Sequence, residues 1–194
     1  MVTKVQILLL LTISSCLLAA AQPGKSPQLF IDRSVAPDFA ALIQTTWRQF
    51  LTVFDARKDC FGDLRIVAVE ALADRAQYDP ATATVTVRVP ARGSALQVAL
   101  VHEWAHHLEF QCAAQMELRP AFLAAQGLPS DTPWYAEDGS TALHAYQWAT
   151  IPSEQFAETV VALVLAQQRV RTPARVTEAG KQVIAAWARK GLLP

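Results

Sequence analysis

His102, Glu103, Trp104, Ala105 and His106 constrain this chain more than any other stretch. On a helix, residues i and i+4 stand on one face about a turn apart, so two imidazoles at that spacing can reach a single metal ion. Glu103 lies about 100° round the helix from His102, close enough to take a proton from a water held on that ion. Composition does not account for the pattern. With 4 histidines in 194 residues, it would arise by chance in about one chain in 300. Three of the histidines are His102, His106 and His107, so this helix carries most of the imidazole in the molecule.

The rest of the chain says where such a helix would work. Residues 1–21 read as an export signal. A basic start with Lys4 precedes an apolar run over 5–20, and Ala19, Ala20 and Ala21 offer a small-residue cleavage site. The run is too short and wrongly flanked for a membrane span. A second reading takes Ile13-Ser14-Ser15-Cys16 as a lipidation signal, anchoring the chain to a membrane through Cys16. The apolar residues after Cys16 favour simple cleavage. The expected location is therefore secreted, periplasmic or cell-envelope. Residues 22–35 read as a flexible leader, and 36–194 as one domain large enough for a real core. With 17 basic and 17 acidic residues, there is no electrostatic reason to expect nucleic acid or an anionic membrane surface as partner. A monomer is expected. Cys60 and Cys112 are the cysteines outside the signal, and export predicts a disulfide between them.

Apolar residues at three- and four-residue steps predict a helix over 36–55, carrying Phe39, Ile43, Trp47, Phe50 and Phe54. A strand follows over 64–72. A hairpin turns at Asp79-Pro80-Ala81-Thr82, with its second strand over 83–89. In that strand Val85, Val87 and Val89 alternate with polar residues, giving one buried face, and it is read as an edge that could align an extended peptide. The motif helix starts near Gly93-Ser94, with Ser94 as N-cap, and ends near Cys112. Further helices are expected over 120–126, from Pro152 to about 168, and from Thr172-Pro173 to about 190. The expected class is α+β, a small mixed sheet packed on the motif helix and on a second ligand-bearing helix.

A catalytic zinc ion takes three protein ligands and keeps one position open. Two are His102 and His106. Cys112, Glu109 and Asp138 are each possible as the third. The leading candidate lies on the apolar helix that opens at Pro152. There Glu154 and Glu158 stand at i and i+4, and acidic side chains on a buried helix are costly unless paired or metal-bound. One of them can ligate while the other accepts a hydrogen bond from a ligating imidazole.

His102-Glu103-x-x-His106 followed by Glu154-x-Phe156-Ala157-Glu158 resembles the compact gluzincin pattern of anthrax lethal factor and the bacterial Pro-Pro endopeptidases. The resemblance covers two helices and implies a zincin-like fold and one Zn²⁺. It makes Glu154 the third ligand, Glu158 its outer support and Glu103 the general base. It also implies an oxyanion-stabilising tyrosine shortly before the ligand glutamate. Tyr146 is that tyrosine, although the family spacing falls one residue later, on Gln147. The expected activity is a zinc-dependent endopeptidase acting on a protein or peptide substrate. The competing expectations are a non-catalytic zinc-binding envelope protein and a zinc hydrolase of non-peptide cell-wall amides. His107 and His144 are read as surface or supporting residues, and Trp134 and Tyr135 as cleft or packing residues.

Overall fold

The structure, a computed structural model, describes residues 26–136, 145–166 and 172–190. The signal-segment readings, including Cys16, lie outside them, as do Asp138 and His144. The chain forms a small mixed sheet with helices packed against it, which agrees with the α+β expectation at that level.

Strand β1 (Leu29–Ile31) is followed by helix α1 (Pro37–Val53), strand β2 (Leu64–Val69), and the hairpin of β3 (Ala76–Asp79) and β4 (Thr84–Arg88). The spatial order is β1-β2-β4-β3. β1 runs parallel to β2, β2 parallel to β4, and β3 antiparallel to β4. Alternation sets the buried face: Leu64, Ile66, Ala76, Tyr78, Val85 and Val87 all point inward. Two expectations change here. β1 lies inside the segment read as a flexible leader, held by pairs such as Leu29 with Leu64. And β4 is interior, because β2 pairs along its other side. The strand open along one edge next to β4 is β3.

Helix α2 (Gly93–Gln111) crosses the inner face of the sheet. It begins without a side-chain cap, so Ser94 is not its N-cap; Arg92 occupies that place. Between Ala95 and Glu109 none of its residues is exposed. Leu96, Leu100, Val101, Trp104, Ala105 and Leu108 are all buried, because β3 and β4 cover one flank and α1 and a later helix cover the others. α1 supplies Ile43, Trp47, Phe50 and, just past its end, Phe54. Trp47 meets Trp104 edge-on at 5.1 Å between ring centroids.

Helix α3 (Arg119–Gln126) ends at Gly127, whose φ of 68° is the left-handed cap that favours glycine. The short helix α4 (Ala145–Trp148) and helix α5 (Pro152–Val164) follow. α5 has proline in its first turn and fully buries Phe156, Ala157, Val160 and Val161. Each large apolar side chain so placed contributes about 1.5–3 kcal/mol relative to exposure. Helix α6 (Glu178–Arg189) starts later than the Thr172-Pro173 expectation. The N-cap is Thr177, whose Oγ1 accepts a hydrogen bond from the Gly180 amide at 2.9 Å. Cys60 and Cys112 form a disulfide that ties the loop after α1 to the C-cap of α2. Among the described residues, no helix is long and apolar enough to cross a membrane.

Candidate metal centre

α2 and α5 pack side by side, and this brings the separated halves of the site together. His102 and His106 project from α2, and Glu154 from the first turn of α5. The two imidazole Nε2 atoms are 3.1 Å apart. Glu154 Oε2 stands 3.1 Å from His102 Nε2 and 3.5 Å from His106 Nε2. These residues can hold a metal ion, with one ligand atom from each lying within 4.8 Å of the others.

The triangle is compatible with a zinc ion. Ligand atoms about 2.05 Å from a tetrahedral ion stand about 3.3 Å from one another. The observed sides of 3.1, 3.1 and 3.5 Å bracket that separation. Glu154 Oε2 is buried and makes no hydrogen bond, so the arrangement leaves its lone pairs unused. Both imidazoles have their other nitrogen engaged by a carboxylate. His102 Nδ1–H donates to Glu158 Oε1 at 3.0 Å, and His106 Nδ1–H to Glu109 Oε2 at 2.7 Å. A carboxylate only accepts, so each Nδ1 holds its proton, and in the neutral imidazole that a metal ion requires each Nε2 then presents its lone pair to the shared point.

The electrostatics point the same way. Burial pushes the His102 imidazole down, but the carboxylates of Glu154 and Glu158 beside it outweigh burial and raise the pKa to about 9. Burial acts likewise on His106, and Glu109 and Glu154 together hold it well above the usual histidine value. Burial pushes the Glu154 carboxyl up, yet the two imidazoles hold it far below the ordinary carboxylate range. The pocket thus strongly favours positive charge where the three ligand atoms meet.

The surrounding residues sort as follows. Glu103 is buried to 9 % exposure beside the triad, and among the described residues no hydrogen-bond partner engages its carboxylate. Glu158 supports His102, and its Oε2 is buried without a partner. Glu109 faces the Nδ1 side of His106, away from the triad, so it is no ligand here. Cys112 is removed from the candidates by its disulfide. Tyr146 falls in α4, but its side chain lies outside the described residues. Two residues later, Trp148 stacks on His102 with ring centroids 5.8 Å apart, which puts α4 beside the triad.

His107 departs from the surface reading. It is fully buried, donates from Nε2 to the Gly62 carbonyl at 3.1 Å and accepts at Nδ1 from the Tyr78 hydroxyl at 3.0 Å. Burial pushes its pKa down to about 4, so it stays neutral. It braces α2 against β3 and the loop before β2. Trp134 is buried and donates to Glu109, while Tyr135 stacks on Phe110 and accepts from Arg119. Sequence reasoning passed over Ser153 and Trp148, whose partners are remote in the chain. No family model, no curated protein and no solved structure matches the chain.

Proposed function

We propose that this chain is an exported, zincin-like zinc endopeptidase of the compact gluzincin type. The observation that carries the reading is the Nε2, Nε2, Oε2 triangle of His102, His106 and Glu154, with both Nδ1 atoms tied to carboxylates. His102, His106 and Glu154 would hold the ion. A zinc ion bound there supplies an acidified water and a Lewis acid for the scissile carbonyl.

The chain's own groups do the rest. Glu103, beside the triad with no partner among the described residues, removes the proton of the attacking water and delivers it to the departing amine. Glu158 and Glu109 hold the two imidazoles in the tautomer that keeps Nε2 free. Tyr146, carried on the helix whose Trp148 stacks on His102, is assigned to stabilise the developing oxyanion. A purely structural zinc site has no use for Glu103, and this favours catalysis over a non-catalytic envelope role.

The test is hydrolysis of a pool of internally quenched peptides by the mature protein, with and without chelator and with zinc restored. Glu103→Gln should keep its zinc content and lose about 10²–10⁴-fold in rate. A variant that still cleaves at a comparable rate removes Glu103 as the base. Zinc uptake with no cleavage of any peptide, but cleavage of cell-wall amides, moves the substrate to that class.

A further inference from the structure

Beyond the ligands, one buried carboxylate has an unusual number of partners. The Glu109 side chain is fully inaccessible, with 0 % exposure. Its Oε2 accepts from His106 Nδ1–H at 2.7 Å and from the Ser153 hydroxyl at 3.0 Å; its Oε1 accepts from the Trp134 indole N–H at 2.6 Å. The donors sit on α2, on the loop after α3, and on the first turn of α5, immediately before Glu154. The same loop and helix are joined again where the Ser153 amide donates to the Trp134 carbonyl at 3.0 Å. Glu158 on the other imidazole is less constrained, with one oxygen unpartnered.

We infer that Glu109 is the positioning residue of the metal centre, fixing the His106 tautomer and, through Ser153 and Trp134, the distance at which α5 presents Glu154. The inference deepens the metal-site reading above and rests on it. The chemistry is specific to a carboxylate. Three donors converge on two acceptor oxygens, and two of those donors, an indole N–H and an imidazole N–H, cannot rotate away. An amide cannot serve both. With its oxygen toward Trp134, its NH₂ faces His106 and drives the imidazole proton to Nε2, the atom the metal needs. With its oxygen toward His106, its NH₂ opposes the indole N–H.

Zinc affinity, measured by competition with a chromophoric chelator, and the histidine ¹⁵N NMR spectrum of the metal-free and zinc-loaded protein test this. Glu109→Gln should bind zinc 10–100-fold more weakly, with the His106 ring shifted toward the Nε2–H form. Adding Trp134→Phe removes the indole donor that opposes the amide, so the double variant should regain several-fold in affinity over Glu109→Gln alone. A merely structural role predicts the opposite, a double variant weaker than either single one. Wild-type affinity in Glu109→Gln with an unchanged His106 spectrum overturns the inference. If Glu109→Gln does not fold, Trp134→Phe alone carries the test: several-fold weaker zinc supports the inference, and unchanged affinity overturns it. Tight zinc binding by the wild-type chain without peptide cleavage would sink the endopeptidase reading and leave this one standing.

Discussion

Opening the Cys60–Cys112 disulfide should destabilise the metal-free protein by about 4 kcal/mol. The bond closes a loop with a sequence separation of 52. Loop-closure entropy for that length is about 14 cal/mol/K, which at 25 °C is about 4 kcal/mol. The closed segment contains β2, β3, β4 and α2, nearly the whole scaffold under the site. Its release therefore adds freedom to the unfolded chain at the place that folding must order most. At about 2–4 °C per kcal/mol for a domain of this size, the melting temperature should fall by about 8–16 °C. The assay is urea unfolding of the wild type, oxidised and reduced, beside the Cys60→Ala/Cys112→Ala variant. Chelator is present throughout, so that metal binding does not contribute to stability. Cys112 is fully buried, so the alanine variant should lose about 1 kcal/mol more than the reduced wild type through lost packing. A loss below about 1 kcal/mol on reduction would refute the entropic reasoning. Two reactive thiols in denatured, unreduced protein would refute the bond itself.

Glu154→Ala should abolish stoichiometric zinc binding, whereas Glu158→Ala should weaken it about 10–100-fold, because one removes a ligand and the other only its outer support. Metal titration of both variants checks this, and equal small effects would move the third ligand elsewhere. Ala83→Gly should raise stability by about 0.5–1 kcal/mol, since Ala83 holds a φ of 48° that a side chain disfavours. Thermal unfolding reads it, and a lower melting temperature would contradict the backbone assignment at that turn.

The parts of the site carried on a single helix were readable from spacing alone, because a helix fixes where i and i+4 point. Glu154 was reachable by a second route, the cost of burying an acid on an apolar helix, joined to the gluzincin resemblance. What could not be read depends on neighbours distant in sequence. Alternation in residues 83–89 names the buried face but not the strand on either side, so the interior position of β4 stayed hidden. Leu29–Ile31 is too short to signal a strand without β2 to pair with. His107 reads from the sequence as a surface or supporting residue, because spacing says only that it points off the ligand face, and not that β3 and the loop before β2 will cover it. Glu109 shows no sign in the sequence that Trp134 and Ser153, 25 and 44 residues away, will point their donors at it.

The order of the strands has a consequence for how the molecule behaves among its own copies. Both ends of the sheet are blunt: β1 has 3 residues and β3 has 4. Alternate residues of an edge strand turn their main-chain groups outward, so each end offers about two sites at which another strand could join. That is too few to seed growth of a shared sheet. The longer, valine-bearing β4, which would be the adhesive strand if it lay outside, is walled in by β2 and β3. Concentrated solutions should therefore resist fibril formation while the fold is intact, and lose that protection once the hairpin detaches from β2.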